Sequence, residues 1–454
     1  MRQRPHALLL SFLFLLPSTL AAAPAAQGSG TVLLRADRAL LAGGEEISPV
    51  YVLIQDGKIR SVSDRPPRLS RSRPVEVSGT LAAGIVDAWG GPVPADLLRS
   101  SHRPGGLDLA DSLPADLPGA DPGLAARVAA ARAAGVAAAG LSPGGKTLWR
   151  GLGAVVGFGA HDLPVAEGEP FLDLALGSAF TDPLNGQKVG RELTDLFQAA
   201  ESLRQDYDDY PERLEKYEKD LEEYRKKLEE YGKKKEEAEQ KAAAGKPQGQ
   251  NGKGKGGQKP QPPKRPKRPE PPVPDARMER LLRALAGSLR VRIEANAAAD
   301  IRTALDLKER HDLDLVLVGG AEADLMAEEL AAARVPVVLP VVGEHGRRSP
   351  ERSLARRFQA LREAGVEVAL ASGGGDGSQA LLLMRAGELV AAGLDPAEVW
   401  DALTVVPARI LGLEGRRGVI AAGAVADLVL FGGSGPFDAS APLRPFSAHG
   451  GFDR

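Results

Sequence analysis

The sequence predicts an α/β fold with a parallel sheet, and three observations predict it. From residue 84 to about residue 407, short apolar β-rich runs alternate with Ala-rich helical stretches, which is typical of βα units. A small β-rich unit precedes this region over residues 31–82. A segment rich in Glu, Lys and Tyr interrupts the alternation over residues 207–259. We therefore expect an α/β domain, a small β unit and an inserted charged segment.

Length and composition allow a large core. A chain of 454 residues with 43% hydrophobic residues can form one barrel-sized domain and a small companion. The net charge of -2 gives no general preference for nucleic acid, so an electrostatic partner must be sought in a local segment. The absence of cysteine excludes disulfides and thiolate metal ligands.

Residues 1–26 have the features of a secretory signal peptide. Arg2 and Arg4 precede an apolar stretch over residues 7–20, and small residues follow over residues 21–26. The apolar stretch is short for a membrane anchor. The sequence therefore predicts an exported protein, periplasmic or extracellular.

The small β unit, residues 27–82, contains a hairpin signal. Residues 50–54 and 59–62 are β-rich runs, and Asp56 and Gly57 stand between them. An Asp-Gly pair in this position favours a two-residue hairpin loop, because both turn positions require a positive φ.

The α/β domain is predicted in two parts, residues 83–204 and 276–413. In the second part, the apolar run 366–371 ends in the glycines 373–375, and a helical stretch follows over residues 379–392. Parallel strands need helical crossovers of this kind, so the pattern predicts a parallel sheet.

The insertion, residues 205–275, begins with a heptad pattern. Tyr and Leu recur at alternating spacings of three and four residues, at Tyr207, Tyr210, Leu214, Tyr217, Leu221, Tyr224, Leu228 and Tyr231. Pro211 is compatible with the first turn of such a helix. Two interpretations remain open. One is a coiled coil with a partner helix, and the other is a solvated helix whose stripe lies on the α/β domain.

The rest of the insertion is low in complexity and basic. Gly, Gln, Pro and Lys dominate residues 245–274, a composition that cannot form a core. Eight cations precede the first acidic residue, Glu270: Lys246, Lys253, Lys255, Lys259, Lys264, Arg265, Lys267 and Arg268. One interpretation is a disordered cationic loop. The other is contact with an anionic surface through residues 246–268, without specific recognition of nucleic acid.

Several motifs resemble the amidohydrolase superfamily, and specifically its exported group related to imidazolonepropionase. They follow one another in the family's order over nearly the whole mature chain. They are Asp-Gly-Lys-Ile at 56–59, Gly-Ile-Val-Asp at 84–87, the Gly-rich stretches 140–143 and 151–156, a Thr-x-x-Pro-Ala-x-x-Leu-Gly signature at 404–412, and the final runs 418–423 and 426–430.

The resemblance implies a (β/α)8 TIM-type barrel. Residues 27–82 and 414–454 would pair into a small β-sandwich, and the active site would lie at the carboxyl ends of the barrel strands. Active relatives hydrolyse non-peptide C–N bonds with one or two divalent metals such as zinc, held by imidazoles and carboxylates. An aspartate at the eighth strand serves as ligand and as base.

The family's ligand positions are degenerate in this chain. Trp89 and Gly91 replace the two histidines of the first strand, Glu294 and Gly319 replace two later histidines, and Gly373 replaces the aspartate. Gly157 stands where some relatives carry a lysine. Only Glu294 keeps a side chain that binds metal, and a divalent ion usually needs three protein ligands. We therefore expect no metal and no catalysis, with Asp87 as a structural hydrogen-bond acceptor.

One alternative is a rebuilt metal site at the barrel mouth, formed by His102, His161, His345 and Asp376.

Trp89 is expected to fill the vacated space as a plug, or else to act as an aromatic platform for a ligand. The preferred hypothesis is an exported amidohydrolase-like protein that is inactive and acts by binding or assembly. Because a heptad helix can join two related barrels, the partner through residues 207–231 is expected to be a second copy of the chain or an active paralogous amidohydrolase.

Overall fold

The computed structural model describes thirteen stretches of the chain: residues 30–67, 74–90, 107–108, 122–143, 147–158, 165–168, 170–177, 183–244, 261–342, 353–374, 378–438, 443–447 and 451–452. The strands are β1 (Thr31–Leu40), β2 (Glu46–Ile47), β3 (Val50–Gln55), β4 (Lys58–Ser63), β5 (Val75–Ala83), β6 (Ile85–Asp87), β7 (Leu107–Asp108), β8 (Val136–Leu141), β9 (Trp149–Gly157), β10 (Val165–Ala166), β11 (Phe171–Ala175), β12 (Arg290–Ala295), β13 (Leu315–Gly319), β14 (Val337–Pro340), β15 (Val368–Ala371), β16 (Leu428–Phe431), β17 (Leu443–Ser447) and β18 (Gly451–Phe452). The α-helices are α1 (Pro122–Ala133), α2 (Pro183–Ala244), α3 (Ala276–Leu285), α4 (Ala298–His311), α5 (Ala327–Ala332), α6 (Leu354–Glu363), α7 (Gln379–Ala391), α8 (Pro396–Asp401) and α9 (Val405–Ile410).

The two ends of the chain pair in one sheet, as the resemblance implied. Strand β16 runs antiparallel to β5, which runs parallel to β1. The predicted hairpin is confirmed, because β3 and β4 pair around Asp56 and Gly57, which both have positive φ. The described strands of this unit form a single sheet in the order β18-β17-β16-β5-β1-β3-β4, with β2 beside β1. A sandwich of two sheets is not confirmed.

The second sheet is a nearly closed barrel. Its eight main strands follow the order β15-β14-β13-β12-β11-β9-β8-β6. The segment between α8 and α9 bridges the two outer strands, since the amides of Val86 in β6 and Leu370 in β15 donate to the carbonyls of Leu403 and Ala402. The expectation of an α/β barrel is therefore met at the level of overall architecture.

One strand departs from the predicted parallel arrangement. Strand β9 is antiparallel to both of its neighbours, β8 and β11. Only residues 142–148 connect β8 to β9, and a parallel crossover needs a dozen or more residues. The short connection forces the chain to reverse direction.

Helix α2 is a continuous element of 62 residues. Its first part packs on the barrel through Val189, Leu193, Phe197 and Ala200, all buried. No described side chain is buried from residue 202 onward in this helix. The predicted boundary between residues 204 and 205 therefore falls inside one helix, and Pro211 lies in its interior rather than in its first turn.

Residues 261–275 form an extended segment that leads into α3. Its prolines at positions 263, 266, 269 and 272 are partly buried, whereas the residues between them are exposed. Proline at every third position favours the polyproline II helix, which has three residues per turn, whereas the disordered cationic loop stays a prediction. Lys246, Lys253, Lys255 and Lys259 lie outside the described residues, as do residues 1–26.

Among the helices that the structure describes, none is both long enough and apolar enough to cross a membrane.

Candidate functional site

The end of the first barrel strand is fixed by the carboxylate of Asp87. This fully buried side chain accepts hydrogen bonds from the backbone amides of Trp89 and Ser372 and from Nε2 of Gln379, at 3.2, 3.0 and 3.1 Å. Ser372 follows β15 and Gln379 begins α7, so Asp87 joins the first and last strands of the barrel. The side chain acts as the expected hydrogen-bond acceptor.

Trp89 fills the inside of the barrel close to this joint. Its side chain is 6% exposed and belongs to an apolar cluster with Val318, Val338 and Ala371. Its carbonyl accepts a hydrogen bond of 3.1 Å from the hydroxyl of Ser372. This burial supports the plug interpretation and leaves little ring surface for a ligand.

Four charged side chains occupy the barrel interior beside the apolar cluster. Nη2 of Arg150 lies 2.6 Å from Oε2 of Glu294, and Nε of Arg292 lies 3.1 Å from Oδ1 of Asp173. The second oxygen of Asp173 accepts a hydrogen bond from the hydroxyl of Ser142 and lies 4.0 Å from Nη1 of Arg150. We refer to Arg150, Asp173, Arg292 and Glu294 as the interior ion cluster.

The strand register brings the interior ion cluster together. In the parallel ladder of β11 and β12, Asp173 is paired with Arg292, and Ala175 with Glu294. Alternate residues of β12 face the same side, so Arg292 and Glu294 both point inward while Val291 and Ile293 pack outside. Arg150 reaches the cluster from a shift in register between β9 and β11, and a bulge of this kind redirects a side chain.

The interior ion cluster is buried and electrically balanced. Each of its four side chains is at most 7% exposed, and two guanidiniums face two carboxylates. The guanidinium of Arg292 also donates to the carbonyl of Ala88 at 3.1 Å and lies 4.0 Å from the centre of the Phe171 ring. Burial of charge is costly without such partners. Glu294 thus has its negative charge neutralised by arginine.

At two other positions where the resemblance expects a ligand, Gly319 and Gly373, an added side chain would meet neighbouring atoms. Gly319 and Gly373 have φ values of 93° and 82°, a region that L residues other than glycine rarely adopt. A Cβ added at Gly319 would lie 2.5 Å from Oδ1 of Asn296, and one at Gly373 would lie 2.4 Å from the carbonyl oxygen of Val342. Neither histidine nor aspartate fits there without movement of the surroundings.

Gly157, the position of a lysine in some relatives, faces a second ion cluster. A Cβ there would lie 2.4 Å from Nη2 of Arg417, which is bound by the carboxylates of Glu167 and Asp427. Burial raises the pKa of Asp427, and the guanidinium of Arg417 opposes that rise. This second ion cluster holds the segment before β16 against β8 and β9.

The described residues therefore do not fit the divalent metal that the resemblance implies. Trp89 is a buried plug, Glu294 is paired with Arg150, and two glycines leave no space for a ligand. Within the described ranges, no group of three or more His, Asp or Glu side chains is arranged to hold a metal. The remaining predicted positions, Gly91 and the four alternative ligands, His102, His161, His345 and Asp376, lie outside the described residues.

Sequence reasoning found Glu294 but missed its partners. Arg150, Asp173 and Arg292 are charged residues within otherwise apolar strands, and such inward-pointing charges are rare unless they are paired. The available signal was the alternation of side-chain direction along β12, in which every second residue faces the same side. It identifies Arg292 and Glu294 as inward residues but does not show which other strand supplies their counter-charges.

Comparison with known proteins agrees with the architecture. The model of the amidohydrolase family matches residues 298–448, which include Gly319 and Gly373. An amidohydrolase from Thermotoga maritima MSB8 superposes with a TM-score of 0.64 at 20% identity, over 92% of this chain and 98% of that one. The family model thus supports an amidohydrolase-family domain over residues 298–448, and the superposition supports the overall fold.

Two further solved structures superpose on this chain with lower TM-scores. A prolidase complexed with N-methylphosphonate-L-proline has a TM-score of 0.49 at 16% identity, covering 94% of this chain and 100% of that one. A beta-aspartyl dipeptidase from Fervidobacterium islandicum AW-1 has a TM-score of 0.45 at 13% identity, covering 93% and 96%. No curated protein matches the chain.

Proposed function

We propose that this chain is an exported, catalytically inactive amidohydrolase-like protein that acts by binding or assembly. The observation that carries the proposal is the ion pair between Arg150 and Glu294. At a position where active relatives present a metal ligand, this chain presents a carboxylate already neutralised by arginine. The proposal includes the exported imidazolonepropionase-related group, to which the sequence motifs point.

Loss of metal binding removes the family's reaction. In that reaction a bound metal lowers the pKa of water enough to generate hydroxide near neutral pH. A guanidinium supplies positive charge but holds no water as a Lewis acid does. Within the described residues, the interior ion cluster pairs Glu294 with arginine and offers no site for a metal that would activate water.

The projecting part of α2 supports a binding role. From residue 202 to residue 240 the helix contributes nothing to the barrel core, so its length has no explanation in the stability of the barrel. Assembly with a second copy or an active paralogous amidohydrolase through residues 207–231 remains a prediction. Of its eight stripe residues, six are partly buried within this chain, and only Tyr207 and Leu228 are exposed.

Metal analysis of the purified full chain, after incubation with zinc and removal of free ion, tests the proposal. We expect less than about a tenth of an equivalent of bound metal, and an unfolding midpoint that chelator leaves unchanged, because structural and catalytic sites bind close to one equivalent. More than about half an equivalent contradicts it. If the parent chain binds metal, the triple variant His102→Gln, His161→Gln, His345→Gln tests where it is held. Loss of the bound metal in this variant would establish the rebuilt site.

A further inference from the structure

The outer part of α2 projects from the barrel like an arm. Residues 205–244 span about 60 Å at 1.5 Å per residue. The helix is anchored at its base, where Nδ1 of His311 in α4 lies 2.9 Å from Oε1 of Glu201 and the His311 ring stacks on Phe197. From residue 202 to residue 240, one face of the helix is partly buried and the other faces are exposed. This stripe includes Tyr210 and Tyr217.

The extended segment 261–275 has the complementary pattern. Its partly buried prolines recur every three residues, which in a polyproline II helix is a rise of about 9.3 Å. The tyrosines at 210, 217, 224 and 231 recur every seven residues, a rise of about 10.5 Å along an α-helix. Four prolines and four tyrosines thus extend over about 28 and 32 Å. The two segments match in repeat and length, and from this match we infer that they cover one another as a hairpin.

The hairpin leaves a basic ridge on its outer side. Lys264, Arg265, Lys267 and Arg268 occupy the positions between the partly buried prolines, and all four are exposed. Within the described residues, ion pairs of the outer helix, such as that of Glu215 with Lys219, join residues of the helix itself and do not involve the ridge. The polyproline backbone is stiff, so the four charges are held in place with little entropy to lose on binding.

We propose that this basic ridge, Lys264, Arg265, Lys267 and Arg268, docks on an anionic phospholipid surface. The inference deepens the proposed binding role and rests on it. These four cations are exposed and close together in the chain, so they can contact a planar anionic surface together. Each Lys or Arg near an anionic membrane strengthens binding about fivefold, so four together contribute on the order of several hundredfold.

The composition of the ridge favours lipid over nucleic acid. Binding to single strands uses aromatic side chains on which bases stack, and residues 261–275 contain no aromatic residue. The nearby tyrosines form the covered stripe of the hairpin. The predicted export of the chain agrees with a lipid surface as the partner.

Vesicle co-sedimentation of the full chain tests the inference. The probes are vesicles containing one third phosphatidylglycerol in phosphatidylcholine, and vesicles of phosphatidylcholine alone. We expect the chain to bind only the anionic vesicles, with an affinity that falls as salt rises. The variant K264Q/R265Q/K267Q/R268Q should lose on the order of several hundredfold in affinity.

A matched control removes the same charge from another part of the hairpin. Lys216, Lys219, Lys226 and Lys227 are exposed on α2, and their replacement by Gln should change affinity by less than about threefold. Circular dichroism verifies that both variants remain folded. Absence of binding by the parent chain, an equal loss in both variants, or ridge-dependent binding to duplex DNA without binding to vesicles would overturn the inference.

This result is separable from that of the metal analysis. A metal-free chain that ignores vesicles refutes the basic ridge as a lipid site and leaves the proposed inactivity intact. A chain that binds both one equivalent of metal and the vesicles refutes the inactivity and leaves the ridge intact.

Discussion

Glu294 shows how the neighbours of a single residue decide its chemistry. Its carboxylate is of a type that binds metal, and its strand position resembles that of a family histidine. The structure places Arg150 2.6 Å away, in a site from which water is almost excluded. In such surroundings an ion pair stabilises mainly by avoiding an unpaired buried charge.

This reasoning predicts a large cost for removal of one partner. Arg150→Met should lower the free energy of unfolding by about 3–5 kcal/mol, because the Glu294 carboxylate would remain buried without the guanidinium that now neutralises it. Urea denaturation measures the change, and the double variant R150M/E294Q should recover part of it. The control is Arg302→Met, which breaks the exposed pair with Glu329 and should cost less than about 1 kcal/mol. Equal losses in the two single variants would contradict the prediction.

A second prediction concerns the space around two glycines of positive φ, Gly373 and Gly287. Gly373 and Gly287 both have positive φ, but an added Cβ meets the carbonyl of Val342 at Gly373 and nothing within 4 Å at Gly287. Gly287→Ala should therefore cost about 1–2 kcal/mol for backbone strain alone. Gly373→Ala should cost about 1–3 kcal/mol more, because the site is overpacked. Comparison of the unfolding free energies of the two variants checks this. Similar values would show that the residues around Gly373 move aside at little cost.

At the scale of elements, the tyrosine stripe of α2 illustrates the limit of a periodic pattern. The heptad spacing correctly identified the one face of the helix that is partly buried. The spacing did not identify what covers this face, because a coiled-coil partner, the barrel surface or a polyproline segment can each bury the same stripe. The proline spacing in residues 261–275 was equally visible, but composition alone favoured disorder.

Amide hydrogen exchange over residues 205–240 tests the match between the two segments. Tyr217→Ala with Tyr224→Ala should speed exchange by tenfold or more, since each tyrosine loses about 1.5 kcal/mol or more of apolar burial against the prolines. If the stripe were merely solvated, alanine would slow exchange because of its higher helix propensity. The control is Glu218→Ala with Arg225→Ala, one residue further along and exposed, which should leave protection nearly unchanged.

At the scale of the whole molecule, segments that are distant in sequence pair to complete the small β unit and to join the first and last strands of the barrel. Strand β16 pairs with β5, and Asp87 receives hydrogen bonds from residues that follow the last barrel strand. The motifs near both ends of the chain suggested this closure. The direction of β9 was not predictable from its apolar pattern, since alternation is the same in parallel and antiparallel strands. Only the length of the preceding connection indicated the reversal.

The sequence by itself determined the succession of elements, the α/β class and the absence of ligand atoms at Trp89, Gly319 and Gly373. Those properties are local, because hydrophobic period, turn chemistry and side-chain type are read at each position separately. Only the tertiary structure decided that Arg150 neutralises Glu294, that the two glycines leave no space for a ligand, and that the prolines of 261–275 are partly buried at the repeat of the tyrosines. Each of these depends on strand register or on packing between distant segments, and neither leaves a unique mark on the residues that take part.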